Sequence, residues 1–361
     1  MTNSVNPEAA GFSGERLDRL RTWLNEQVTG GRLAGAGVLV ARQGRTAFFE
    51  TTGHADKEAG LTFEKDTIVR IYSMTKPVTT VAAMMLYEQG CFQLDDAIAA
   101  YLPEFADMRV WSGGAGDITH AVPADGPITV KQLMTHTSGL TYSFMSSNPV
   151  DAAYRERGLE FPGTEGSLAE WVEKLAAVPL VCQPGSAWNY SVSIDVLGRL
   201  VEVWSGQSLE QFFHANIFAP LGMTDTGFHA DPAEQDRFAT LYGPAGGGDL
   251  SSVASSTSTP GTKKAPAGVS VLAARLERRF LRPATVFSGG GGLVGTMGDY
   301  ARFCQMLLNG GTLDGKRLLA RTTVDYMRRN HLPGNRDMAA MGQPVWSETS
   351  YNGIGFGLGY A

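Results

Sequence analysis

The chain has 361 residues, a formal net charge of -6, 43% hydrophobic residues and 18% charged residues. That length suffices for one large or two modest domains around a substantial core. A mildly acidic chain whose Lys and Arg never run longer than two carries no electrostatic footprint for nucleic acid and no polybasic patch for anionic lipid.

The first ten residues, Met1 to Ala10, lack the basic segment and apolar stretch of a secretory signal. No run approaches the roughly 18 apolar residues that span a bilayer. Cys91, Cys182 and Cys304 are sparse, odd in number and far apart, so they are expected as buried, reduced thiols rather than a disulfide framework. The expected compartment is the cytoplasm.

Residues 13–30 read as a helix, capped by Ser13, with Leu17, Leu20, Leu24 and Val28 at helical spacing. Gly35 to Gly44 reads as a strand entering a turn, and Thr46 to Gly53 as its hairpin partner. A helix is expected at about 74–89, ended by Gly90. Ile128 to Thr135 predicts a short helix with Thr129 as its cap, and Ser167 to Ala177 another. Residues 192–204 are amphipathic through Val196, Leu197, Leu200, Val201 and Val203, and 208–218 add one more helix. Gly, Ser, Thr, Pro and Ala dominate 243–268, which predicts a flexible loop. A run of four glycines, Gly289 to Gly292, precedes a helix at about 298–309, and 353–361 looks strand-like. The order suggests a sheet-containing α/β domain from residues 1–75 and 286–361, with a mainly helical domain, 76–285, inserted between them.

The chemistry begins at Ser73-Met-Thr-Lys76. Three residues apart at a helix start, both side chains share one face. The serine would sit in the positive field of the helix N-terminus, with its own N–H free for an oxyanion. A serine hydroxyl needs a base, and a buried lysine beside other donors can be neutral enough to serve. Alone, Ser-x-x-Lys is a weak signal that also fits a capping serine and a solvated lysine. Tyr190 lies between a turn, Pro184 to Trp188, and a helix start. Beside a lysine ammonium, a phenolic oxygen becomes a better proton acceptor; the plain alternative is a core tyrosine. The chain has no Gly-x-Ser-x-Gly, no His-Glu-x-x-His, no phosphate-binding Gly-x-x-x-x-Gly-Lys and no metal-ligand spacing among its six histidines. No metal and no cofactor are expected. The glycine run lacks the context of a dinucleotide loop and fits close backbone packing beside a site.

In order along the chain stand Ser73-Met-Thr-Lys76, Leu133-Met-Thr-His-Thr-Ser-Gly-Leu140, Pro184-Gly-x-x-Trp-x-Tyr-Ser191, Asp195-Val-Leu-Gly198, Pro220-Leu-Gly-Met223 and Ser288-Gly-Gly-Gly-Gly-Leu293. This set resembles the serine β-lactamase-like superfamily of class C β-lactamases, D-alanyl-D-alanine carboxypeptidases and family VIII carboxylesterases, and is closest to the last. The resemblance runs from about residue 12 to the end of the chain. It implies a β-lactamase/transpeptidase-like α+β fold, an antiparallel sheet flanked by helices plus a helical domain, with the active site between them. It further implies that Ser73 is acylated, that Lys76 and Tyr190 form the base system, and that the Ser73 N–H supplies half of an oxyanion hole. Tyr142, Ser191 and Gly291 are its candidate substrate-binding residues.

Two departures qualify the resemblance. Class C β-lactamases carry Tyr-x-Asn, whose Asn binds the lactam amide; here the third position is Val192, which cannot donate that bond. This favours a short-chain ester substrate and leaves at most weak lactam hydrolysis. The family's third motif, on a late strand that gives the second oxyanion N–H, is absent, and Gly261-Thr-Lys-Lys264 is misplaced for it. The resemblance then implies a piece of a longer chain and a poor catalyst on its own, since losing one oxyanion donor costs about 10²–10³ in rate. The expected partner is a small-molecule ester, with neither nucleic acid nor membrane; the pattern says nothing of oligomeric state. Three readings stand: an esterase; a β-lactamase, D-amino-acid peptidase or acyltransferase on the same chemistry; and a non-catalytic, assembly-forming member.

Overall fold

A computed structural model of the chain describes residues 5–113, 117–145, 148–159, 166–245, 268–271, 280–342 and 351–360. Helix α1 (Gly14–Thr29) starts where the Ser13 hydroxyl accepts the Arg16 N–H. Its Leu17 packs with Ala47 and Phe48 of the sheet. That sheet is β1 (Gly35–Arg42), β2 (Arg45–Asp56) and β3 (Leu61–Thr62), antiparallel in that order. The β1–β2 hairpin turns on Gln43 and Gly44, both at positive φ, the pair of conformations that a tight two-residue turn requires.

Strand β4 (Val69–Arg70) ends just before the Ser73 turn, and helix α2 (Thr75–Glu88) follows it. A short ribbon comes next, β5 (Arg109–Trp111) with β6 (Ala121–Pro123). Helix α3 (Val130–Met134) opens on a reciprocal cap between Thr129 and Gln132, and α4 (Pro149–Glu156) on Asn148. Helix α5 (Leu168–Ala176) is capped by Ser167 and Glu170, and α6 (Ser193–Ser205) ends at a left-handed Gly206. The 208–218 region is α7 (Leu209–Phe213) continued by a wider turn, His214–Phe218.

Of the expected 243–268 loop, residues 246–267 lie outside the described residues, as does Gly261 to Lys264. Its flanks pair as β7 (Tyr242–Pro244) and β8 (Val269–Val271). Strand β9 (Val294–Gly295) pairs antiparallel with β4, Val69 opposite Gly295, and this pairing lays the glycine run beside the Ser73 turn. Helices α8 (Met297–Leu308) and α9 (Arg321–Met327) follow β9.

Two expectations differ from the structure. The strand-like stretch forms turns, not a strand, over residues 353–360. Gly353, Gly355, Gly357 and Gly359 leave little side chain to cover a pleat, and the backbone docks instead on the last residues of two helices, α9 and α3. Leu358 N–H reaches the Met327 carbonyl (2.9 Å) and Gly359 N–H that of Met134 (2.8 Å). The cysteines are free but not buried: Cys91 and Cys182 are half-buried, and Cys304 is exposed on α8.

The main core is one hydrophobic cluster centred on α2 and α6. Val78, Val81, Ala82 and Met84 of α2 and Ile194, Val196, Leu197, Leu200 and Val201 of α6 are all at 0% exposure. Phe92 stacks on Trp204 (4.0 Å between centroids) at its rim. Leu197→Ala should therefore destabilise the fold by about 2–5 kcal/mol in denaturant unfolding; a loss below about 1 kcal/mol would contradict this packing.

Candidate active site

Ser73 lies in a single 3-10 turn, Tyr72–Met74, that leads into α2. At the start of such a turn the N–H has no preceding carbonyl of the turn to meet, which leaves the Ser73 amide without a partner inside it. Tyr72 has φ +42, a conformation that costs a bulky residue energy and is kept where the surroundings impose it. Its ring packs edge-on to Phe280, and the next carbonyl but one, of Met74, accepts the Tyr300 hydroxyl (3.1 Å). The Ser73 turn is thus held on both sides.

One helical turn later, Lys76 is 4% exposed. Its Nζ lies 3.2 Å from Ser73 Oγ and donates to the Gly290 carbonyl at 2.7 Å. It also stands 4.7 Å above the Tyr190 ring and 5.5 Å from the Tyr142 ring, where the aromatic quadrupole favours a cation. The Tyr190 hydroxyl oxygen is 2.7 Å from Ser73 Oγ. Ser73, Lys76 and Tyr190 converge on one point from α2 and from the turn before α6.

Tyr190 is held from behind by the 136–142 segment. Asn189 N–H donates to the His136 carbonyl (2.8 Å), and its side-chain amide to the Leu140 carbonyl (2.8 Å). A hydroxyl chain runs alongside: His136 Nδ1 to Ser191 Oγ (3.1 Å), Ser191 to Ser193 (2.7 Å), Ser193 to Ser138 (2.7 Å). His136, Ser138, Ser191 and Ser193 are all fully buried. Gly139 sits at φ +87, where a Cβ would overlap the Cys182 carbonyl.

A family model described as Beta-lactamase matches residues 20–360. The chain belongs to the β-lactamase family. It is 32% identical over 364 residues to the esterase EstB of Burkholderia gladioli, across 99% of this chain and 82% of that one. Among solved structures, EstCE1, described as a hydrolase with promiscuous acyltransferase activity, superposes with TM-score 0.73 at 28% identity, covering 95% of this chain and 81% of that one. Unliganded simvastatin synthase (LovD) of Aspergillus terreus gives 0.68 at 26% identity, covering 89% and 74%. Like those structures, this family member has mixed helices and antiparallel sheets. Among its described residues no helix is long and apolar enough to cross a membrane.

The other candidate residues of this family member divide by position. Gly291 is half-exposed beside the Ser73 turn; a Cβ there would make only ordinary contact, 3.8–4.0 Å, with the Tyr72 backbone. Its neighbours are more tightly set: a Cβ would come within 2.7 Å of the Ile194 carbonyl at Gly289 and within 2.8 Å of the Ser288 carbonyl at Gly292. Tyr142 is buried beside Lys76, stacked on Phe144 (4.6 Å). Burial, with Tyr190 and Asp195 nearby, pushes its phenol well above the ordinary 10. Ser191 does not line the cleft: it is fully buried, its hydroxyl engaged by His136 and Ser193. Val192 is fully buried and turns into the core.

His136 stands in the middle of the Leu133–Leu140 motif. Burial, and then the nearby Lys76, push its imidazole well below the ordinary 6.5, so it stays neutral. Its ring lies 4.9 Å from that of Tyr190. The unfolded chain takes up a proton there below about pH 6.5, whereas the folded chain refuses it, so this histidine costs stability as pH falls. Unfolding free energy measured against pH should show the parent losing about 1.4 kcal/mol per pH unit more than His136→Phe below about pH 6.5. A parent–variant difference that stays flat down to about pH 5 would mean the imidazole titrates normally.

Proposed function

We propose that this chain is a serine carboxylesterase that hydrolyses short-chain acyl esters through an acyl-Ser73 intermediate. The observation that carries the reading is the convergence on Ser73 Oγ of the Tyr190 hydroxyl (2.7 Å) and Lys76 Nζ (3.2 Å). The similarity to EstB and EstCE1, an esterase and a hydrolase by name, agrees with it.

In this reading Tyr190 reacts as its phenolate and accepts the proton of Ser73 as Oγ attacks the ester carbonyl carbon. Lys76 compensates the charge on the phenolic oxygen, and the Ser73 N–H donates to the oxyanion. When the C–O bond to the alcohol breaks, Tyr190 returns the proton to the leaving alkoxide. Water then gives a proton to Tyr190, adds to the acyl carbon and releases the acid, with Ser73 regaining its proton. Tyr142, buried and held as a phenol, is ill suited to share that task, which falls to Tyr190. Val192 offers no donor for a lactam amide, so an ester fits the site better than a β-lactam.

A second reading uses the same acyl-enzyme with an alcohol in place of water, an acyltransferase. The resemblance to EstCE1 and to simvastatin synthase favours keeping it. Weak lactam hydrolysis is a side reaction of either.

Hydrolysis of p-nitrophenyl butyrate by the parent and by Ser73→Ala tests the nucleophile: the variant should lose at least about 10³-fold in kcat. Tyr190→Phe should lose about 10²–10⁴-fold with KM little changed. Equal turnover by parent and Ser73→Ala would sink the reading. Adding a primary alcohol separates the two products: butyrate ester in excess of butyric acid would favour acyl transfer.

A further inference from the structure

The motif Asp195-Val-Leu-Gly198 and the serine that opens the glycine run have no part in the chemistry above, yet the structure joins them to it. Asp195 is 1% exposed and Ser288 2%. The Ser288 hydroxyl donates to Asp195 Oδ1, and the Gly290 N–H donates to the same oxygen at 2.9 Å. The Gly291 N–H donates to Ser288 Oγ at 3.1 Å. The carbonyl of the same peptide unit, that of Gly290, accepts Lys76 Nζ at 2.7 Å.

These bonds run in one direction. Lys76 donates to the 290–291 peptide, that peptide's N–H donates to Ser288, and Ser288 donates to a buried carboxylate. Each bond polarises the next, and the carboxylate is the terminal acceptor. The segment has little freedom to move. Thr79 donates to the Gly289 carbonyl (2.7 Å), and a Cβ at Gly290 would overlap the Asp195 carboxylate.

We propose that Asp195 is a positioning residue for the acyl-transfer chemistry, acting through Ser288 and the Gly290–Gly291 peptide to fix Lys76 Nζ beside Ser73 and to place negative charge behind it. This rests on the reading of Ser73, Lys76 and Tyr190 as the reacting set. The titratable groups packed around this relay are Lys76 on α2, Tyr142 on the 136–142 segment and Tyr190 before α6, with His136 beyond the Tyr190 ring. Tyr142 already registers the Asp195 charge.

The test measures two quantities against pH on the full chain: kcat and KM for p-nitrophenyl butyrate, and the rate of covalent labelling of Ser73 by a fluorophosphonate. Three proteins are compared, the parent, Asp195→Asn and Ser288→Ala, each checked for folding by its melting transition. Asp195→Asn keeps an acceptor oxygen but removes the charge. It should lose about 10- to 100-fold in kcat and in labelling rate, with KM nearly unchanged. Without the negative charge, nearby groups release their protons more readily, so its pH profile should move to lower pH, by about one unit. Ser288→Ala breaks the relay and keeps the charge, so its rate should fall while its profile stays in place.

A folded Asp195→Asn with the parent's rate and profile overturns the proposal. So does a rate loss in which both variants keep the parent's profile, because a merely structural carboxylate predicts that. If Asp195→Asn does not fold, Ser288→Ala decides, and parent-like labelling by it overturns the relay. A parent that neither labels nor hydrolyses refutes the activated-serine reading itself, a different failure, and the positioning role falls with it.

Discussion

Everything at the cleft depends on where one buried nitrogen stands. Lys76 Nζ is almost wholly removed from water, and a lysine nitrogen in that position costs several kcal/mol unless it is given partners. The fold gives it a carbonyl, a hydroxyl and two aromatic faces, drawn from four separate parts of the chain. Remove any of them and the nitrogen must reorganise. The arrangement of α2, the glycine run, the Tyr190 turn and the 136–142 segment is the set of constraints that holds it.

The same logic explains why so much polar hydrogen bonding is buried behind Tyr190. A phenol on a turn would otherwise sample several orientations. The two hydrogen bonds of Asn189 and the His136–Ser191–Ser193–Ser138 chain tie that turn to the 136–142 segment. A buried hydroxyl chain is favourable only when its members satisfy one another. That requirement makes the segment rigid, and rigidity fixes a 2.7 Å approach of two oxygens.

Local signals were legible in the sequence because local physics made them. Caps at Ser13, Thr129 and Ser167, the apolar face of α6 and the Ser73–Lys76 pair on one helical turn all act over a few residues. The glycine run read as close packing, and Gly289 and Gly292 are indeed where a Cβ would crowd the backbone. What the pattern hid was long-range. Ser191 stood next to Tyr190 in sequence and so looked like a cleft residue, but one step along the turn reverses its side chain into the His136 chain. The stretch 353–360 looked extended, yet its alternate glycines serve close docking rather than a ladder. Nothing in periodicity links Ser288 to Asp195, which are 93 residues apart and meet where the glycine run packs against α6.

On the proposed reading, substrate choice follows from the same geometry. On the proposed reading, Ser73, Lys76 and Tyr190 act only on the acyl carbon and its carbonyl oxygen, so by themselves they do not tell an ester from a lactam. Discrimination has to come from what flanks Tyr190. On the proposed reading, the valine at 192 offers no donor to an amide substrate, and a site that leaves an amide unpaired rejects it more strongly than it rejects an ester. The proposed acyl-Ser73 intermediate is also open to any nucleophile that reaches the carbonyl once the alcohol has left. Water and alcohols then compete on access and concentration, and hydrolysis and acyl transfer become two outcomes of one intermediate.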